Sequence, residues 1–285
     1  MRISLILVPS NLGQEGDGVG AGPERLVEAG AVEALSAGGH EVEVVRVAAP
    51  EDATNEIGAS FAVVGDLAAA VAHAVAGGVL PIVLAGNCLT SVGTVAGLGR
   101  EVGVVWLDAH ADFNTPDSTA SGFLDGMGLS VLTETGWRAL RETVPGYRAL
   151  PEANVVLIGI RDVDEAEQER LAASEVAVVP PADAATGLEQ ALDQLRGRVT
   201  DIYFHLDLDV LDPSEGRANA WAAPGGLSAA DVEGVVAAVG DRFALRAAAL
   251  TSYDPAADGE GSIPPLATRL LERIAVTAAP SEAAA

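Results

Sequence analysis

The chain runs to 285 residues, 49% of them hydrophobic, with 41 acidic side chains against 16 basic ones and a formal net charge of -25 at pH 7. That hydrophobic content excludes disorder over most of the length and suffices for one domain spanning residues 1–285 with a full core. A surface this anionic, whose basic residues are all arginine, repels phosphate backbones and anionic lipid, which excludes nucleic acid and membrane as partners.

The lone cysteine, Cys88, cannot close an internal disulfide, which fits a reducing compartment. The opening run to Pro9 is too short for a signal peptide or a membrane span. No later stretch offers about 18 uninterrupted apolar residues, so the expectation is a soluble cytoplasmic protein.

Residues 2–8 read as a short buried strand, followed by a glycine-rich loop from Asn11 to Gly22. Pro23 suits the first turn of a helix running to about Ser36. After Gly38-Gly39, residues 41–47 alternate acidic and valine positions as a partly exposed strand does. An alanine-rich helix over 57–76 leads to a third strand, 79–85, which ends at Gly86-Asn87-Cys88. The helix over 89–98 carries small residues suited to close packing. A fourth strand, 102–107, precedes a long loop from Phe113 to Gly128. Strands near 154–160, 175–179, 201–207 and 245–251 then alternate with helical patterns near 164–173, 187–196, 228–239 and 262–276. Residues 277–285 read as a frayed tail. This rhythm gives an α/β fold, a three-layer α/β/α arrangement around a mostly parallel eight-stranded sheet. Ligands then bind outside the carboxyl ends of the strands.

Two acidic motifs fall there. Asp108, His110 and Asp112 follow the apolar run 102–107, and His205, Asp207 and Asp209 follow the run that starts at Ile202. In extended chain, alternate side chains share a face, so each set projects one way. Two such strands side by side bring four carboxylates and an imidazole into one crevice. Buried unpaired carboxylates cost several kcal/mol each, so the cluster calls for cations. Hard oxygen ligands with one or two nitrogens suit manganese better than structural zinc. His205 reads equally as a partner of a metal ligand or as a core histidine, while His40 and His73 lie off the motifs. Cys88 alone reads as a buried filler, Trp221 as loop packing and Asp125 as a turn residue.

With these motifs placed, the chain resembles the arginase/agmatinase (ureohydrolase) family from Gly22-Pro-Glu-Arg-Leu26 to Tyr253-Asp-Pro255. The carrying residues are Asp108-Ala-His-Ala-Asp112 with Asn114-Thr-Pro116 after it, and Asp207-Leu-Asp-Val-Leu-Asp-Pro213. The resemblance implies two manganese ions bridged by a hydroxide that attacks a guanidinium carbon. Asp108 and Asp207 would bridge them, His110 and Asp209 would complete one, and Asp112 would ligate the other. Asp112 would also pass a proton to the leaving nitrogen. Where the family has its first histidine ligand, in Gly-Gly-Asp-His, this chain has Ala85-Gly-Asn-Cys88. A thiolate matches manganese less well than nitrogen, so one ion would be weakly held.

By the same resemblance Asn114 and Ser121 would bind an α-carboxylate, and Asp164 and Glu167 an α-amino group, which favours a small-molecule amino-acid substrate over agmatine. The guanidine end departs from the family. Its proton-shuttling histidine becomes Asp125, a small threonine becomes Trp221, and a glutamate aligns with Ser252. Losing that anion and narrowing the slot suit a less basic guanidine. The chain is thus similar to the branch that hydrolyses Nω-hydroxy-L-arginine to hydroxyurea and L-ornithine in D-cycloserine biosynthesis, an antibiotic pathway. Arginine itself, another guanidino or formimidoyl acid, and a catalytically degenerate ligand-binding role are the alternatives. The family commonly assembles as trimers or hexamers, so a homo-oligomer is implied by resemblance alone.

Overall fold

The structure, a computed structural model, describes residues 1–50, 55–133, 135–183 and 187–278. In chain order the elements are β1 (Arg2–Val8), a two-residue pair β2 (Ser10–Asn11) and β3 (Gln14–Glu15), α1 (Gly22–Glu28), α2 (Ala31–Ala37), β4 (Glu41–Arg46), α3 (Glu56–Ala76), β5 (Leu80–Ala85), α4 (Thr90–Leu98) and β6 (Gly103–Leu107). After the loop come α5 (Gly128–Leu132), α6 (Arg138–Arg141), β7 (Val155–Ile158), α7 (Glu165–Ala173), β8 (Ala177–Val179), α8 (Gly187–Arg196), β9 (Asp201–Asp207), α9 (Ala229–Gly240), β10 (Ala244–Thr251) and α10 (Ile263–Ala278).

Eight strands form one sheet in the order β4-β1-β5-β10-β9-β6-β7-β8, and every pairing in it is parallel. Parallel neighbours need crossovers, and the helices that supply them cover both faces. Alternation along the strands divides the apolar residues between two cores. Leu5 and Leu7 of β1, with Ile82 and Leu84 of β5, face α2, α9 and α10. Ile6 and Val8 of β1, with Val83 and Ala85 of β5, face α3 and α4. The sheet edge β4 has no fully buried residue, which explains its acidic and valine alternation.

Two expectations change. The helix expected over 23–36 is two helices, because Gly30 adopts φ 102°, a left-handed conformation that ends one helix before the other begins. Thr277 and Ala278 are the last residues of α10, and the rest of the expected tail, 279–285, lies outside the described residues. Among the described residues, α3 is also the one helix long and apolar enough to cross a membrane, and half of that stretch is buried inside the fold.

The contact between α3 and α4 depends on small residues. A β-carbon on Gly93 would lie 2.4 Å from the Val64 carbonyl oxygen of α3, and one on Gly97 2.5 Å from that of Ala68. Gly93→Ala should therefore push the helices apart and cost about 1–3 kcal/mol, the usual penalty of overpacking. Urea denaturation checks this, and an unchanged midpoint would contradict so close a contact.

Candidate metal centre

Four adjacent strands of the sheet deliver the site. The register places Trp106 beside His205 and Leu107 beside Leu206, so β6 and β9 reach Asp108 and Asp207 at one level. On the other side of β9, Thr251 of β10 pairs with Asp207, and Ala85 of β5 pairs with Thr251. Cys88 follows three residues after Ala85. The intervening Gly86 fits because a β-carbon there would sit 2.2 Å from the Ser10 carbonyl oxygen.

The acids converge by a different route from simple strand alternation. Strand β6 ends at Leu107, and the 108–112 segment turns, with Asp112 at φ 50°. Past β9, residues 208–210 form a 3-10 turn that Asp207 caps by accepting the Asp209 N–H at 2.8 Å. Asp108 and Asp209 are therefore aimed by hydrogen bonds. Asp108 accepts from the Trp106 indole at 3.0 Å and the His110 N–H at 2.7 Å. Asp209 accepts from the Ala109 N–H at 3.2 Å and the Asn219 amide at 3.1 Å. Nδ1 of His110 lies 3.4 Å from both Asp108 and Asp209. Behind these loops the Arg161 guanidinium donates to the carbonyl oxygens of Asp209 at 2.8 Å and Ala223 at 2.7 Å.

Cys88 points into the cluster. Its thiol donates to Asp207 at 2.9 Å, and its sulfur lies 3.2 Å from the Thr251 hydroxyl, 3.2 Å from His205 Nε2 and 3.5 Å from the Ser252 hydroxyl. Ser252 itself holds a left-handed φ of 65°. The preceding Asn87 donates to Asp125 at 2.8 Å, and the Leu89 N–H to its other oxygen at 2.9 Å. Asp125 thus anchors the Cys88 loop, besides lining the cavity.

Burial and crowding set the protonation states. Burial, then Asp209, pushes the Asp108 carboxyl up to about 6. Burial and neighbouring carboxylates raise Asp112 and Asp207 well above the usual range, and burial lifts Asp125 to about 6. For His110 burial acts downward, but the bonds and charges of Asp108 and Asp209 outweigh it and push it up to about 12. Burial lowers His205 to about 3 and raises the Cys88 thiol well above its ordinary value.

This donor set fits divalent cations. Cys88, Asp108 and Asp207 form one group, and Asp108, His110 and Asp209 a second, with the ligand atoms of each group within 4.8 Å of one another. Asp108 belongs to both. Two dications would offset the burial and the like-charge repulsion that raise Asp108 and Asp207, while Asp209, despite its burial, is already held low, to about 2, by His110 and its other hydrogen-bond donors. Asp112 joins neither group, although it lines the same cavity.

The cavity measures about 290 Å³ and reaches from the acids to a polar rim formed by Asn114, Asp162, Asp164 and Glu167. Asn114 donates to Asp164 at 3.0 Å, and Asp164 caps α7 by accepting the Glu167 N–H at 3.0 Å. Glu167 accepts the Phe113 N–H at 2.7 Å, and burial lifts it to about 7. Trp221 lies at the mouth, 47% exposed, with its ring 5.2 Å from that of Phe123. Ser121 stands apart from this lining: its hydroxyl accepts the Phe123 N–H at 3.1 Å within its own exposed loop. The residues that sequence reasoning missed are Phe123, Asn219, Asp162, Arg161 and the Trp106 indole. Only Asn219, two residues before Trp221, carried a usable signal.

Comparison with known proteins agrees with this geometry. A family model described as the arginase family matches residues 1–276. Arginase of Bacillus caldovelox is 32% identical over 79% of this chain and 82% of its own length. Arginase of Bacillus subtilis is 29% identical over 95% and 97%. The native structure of the Bacillus caldovelox arginase superposes with a TM-score of 0.88 at 27% identity, covering 96% of this chain and 97% of that one.

The raised carboxyls fix the sign of a pH effect. An acid whose folded value lies above its unfolded one holds extra protons when folded, so its contribution to stability falls as pH rises between the two values. Asp108, Asp125 and Glu167 place that window between about pH 4 and 7. Of these only Asp108 belongs to the ligand groups, and cation binding requires it ionised and releases its proton. The rise in Tm on adding manganese should therefore be larger at pH 7.5 than at pH 5.5, as thermal unfolding with and without the metal would show. A rise independent of pH would contradict the assignment.

Proposed function

The chain belongs to the arginase family, and from that premise we propose that it is a dimanganese hydrolase that cleaves Nω-hydroxy-L-arginine to hydroxyurea and L-ornithine. As a member of the family it is a hydrolase of guanidino C–N bonds. The narrower reading rests on one observation above all: the sulfur of Cys88 stands inside the carboxylate cluster, 2.9 Å from Asp207, where the family motif carries an imidazole. Ser252, also beside that sulfur, offers a hydroxyl where a glutamate is expected. A full guanidinium charge thus loses one anionic partner. An electron-withdrawing hydroxyl on the terminal nitrogen lowers the basicity of the guanidine, so a neutral hydroxyguanidine suits this end.

The rim suits an amino-acid head. Asp164 and the second carboxylate oxygen of Glu167 are placed to accept an α-ammonium, and the Asn114 amide faces the same cavity. Ser121 would contribute to carboxylate binding only after its loop rearranges, since its hydroxyl is turned to its own backbone. Phe123 and Trp221 wall the mouth. Hard oxygen donors with one imidazole favour manganese, and the sulfur makes the ion beside Cys88 the weaker one.

Once bound, a pair of divalent cations supplies Lewis acidity and a hydroxide nucleophile near neutral pH. Asp108 is shared between both ligand groups, Asp207 and Cys88 complete one, and Asp209 with His110 completes the other. Asp112, which lines the cavity beside both ligand groups, carries a proton to the departing nitrogen that becomes the δ-amino group of ornithine. Asp125, bound by Asn87 and Leu89, has a smaller role in proton transfer and a larger one in holding the Cys88 loop. The reading places the chain in a biosynthetic, cytoplasmic setting and includes its assembly into a homo-oligomer.

Paired incubations with arginine and Nω-hydroxy-L-arginine in the presence of manganese test this. Hydroxyurea and ornithine should form from the second substrate faster than urea and ornithine from the first, and Asp112→Asn should slow turnover by about 10²–10⁴-fold. Faster arginine turnover would make the chain an arginase, and no product from either would make it a ligand-binding member. Cys88→His should raise both metal retention and arginine turnover, measured by metal analysis and urea release, and unchanged metal content would argue against Cys88 as a ligand.

A further inference from the structure

His205 touches the site without lining the cavity. Its ring is fully buried and stacks on Trp106, with centroids 3.7 Å apart and an angle of 23°. Its Nδ1 lies 2.8 Å from the Tyr203 hydroxyl, and its Nε2 lies 3.2 Å from Cys88 Sγ and 3.5 Å from the Thr251 hydroxyl. The Trp106 that supports it also donates to Asp108. The ring is therefore held at its face and at both nitrogens.

We propose that His205 is a positioning residue for a sulfur ligand: its Nε2–H donates to Cys88 Sγ and fixes the direction and donor strength of that sulfur toward the cation. This rests on the reading that Cys88 binds a metal. A metal-bound thiolate carries no proton, so the 3.2 Å contact takes its hydrogen from Nε2. That tautomer leaves Nδ1 as an acceptor, and the Tyr203 hydroxyl at 2.8 Å supplies the donor. A buried anion left without donors is costly, and partners behind a ligand commonly orient it and tune the metal. An imidazole in the ligand position would be directed by its own ring plane. A sulfur has no such plane, and the imidazole behind it, with the Thr251 hydroxyl, supplies the direction.

Cobalt(II) is the probe, because a sulfur-to-cobalt charge-transfer band in the near ultraviolet reports the bond directly. The full chain loaded with cobalt should show the band, and Cys88→Ser should abolish it; no band in the unaltered chain would overturn the metal-binding reading and this inference with it. His205→Phe keeps a ring on Trp106 and removes the N–H. It should move the band to longer wavelength and weaken cobalt retention about tenfold or more, the usual scale for losing a partner behind a metal ligand. His205→Gln restores an N–H donor and should return the band toward its original position. A band present in the unaltered chain but unmoved in His205→Phe, or moved equally in both variants, would overturn the role of His205 while leaving Cys88 as a ligand. If His205→Phe does not fold, Tyr203→Phe carries the same comparison: the band should shift the same way, and an unmoved band overturns the proposal.

Discussion

The burial of several carboxylates close enough to repel one another is the constraint around which the carboxyl end of this sheet is built. Asp108, Asp112, Asp125, Asp207 and Asp209 are all buried within one region of the fold. Without compensation such a group would be prohibitively costly. Part of the compensation is local: backbone N–H groups, the Trp106 indole, the Asn219 amide and His110 each serve an oxygen. The remainder shows as carboxyls that hold their protons to unusually high pH. The protein's donors suffice to aim the acids but not to neutralise them, which is the condition for tight, pH-dependent cation binding.

The surrounding architecture serves that arrangement. Parallel strands β5, β10, β9 and β6 end side by side, so groups distant in sequence meet without long loops. Arg161 ties the loop after β9 to the segment that carries Trp221 through carbonyl oxygens of both. Asp125 ties the Cys88 loop to the long loop after β6. The two ends of the cavity differ in kind. The rim of Asn114, Asp164 and Glu167 is a group linked by hydrogen bonds to the Asp164 carboxylate. The inner end combines hard carboxylates with a soft sulfur and an uncharged serine hydroxyl.

Much of the fold was legible in the sequence because the strands are short, apolar and separated by helices, and because the acidic motifs fall at the carboxyl ends of two of them, Asp108 just past β6 and Asp207 as the last residue of β9. The register between Trp106 and His205 is what strand alternation alone could not give, since it depends on which strands become neighbours. The alternating spacing at 108, 110 and 112 is not what brings Asp108 and His110 together: the chain leaves the strand at Leu107, and Asp112 takes a left-handed conformation. Gly30 was a visible breaker inside an otherwise continuous helical pattern. Arg161 was harder, because it acts through carbonyl oxygens remote in sequence, and Trp106 read as one more apolar residue of its strand although its indole serves Asp108 two residues on. Ser121 was placed by motif position, and the backbone bonds of its own loop hold it elsewhere.

Asp108 belongs to both ligand groups, so under the proposed function its carboxylate would be shared by two cations, one beside Cys88 and Asp207 and the other beside His110 and Asp209. Anomalous diffraction at the manganese edge from crystals of the full chain grown with manganese tests it most directly. Two anomalous peaks should flank the carboxylate of Asp108, the weaker on the Cys88 side. A single peak remote from Asp108, or none within reach of its oxygens, would contradict it.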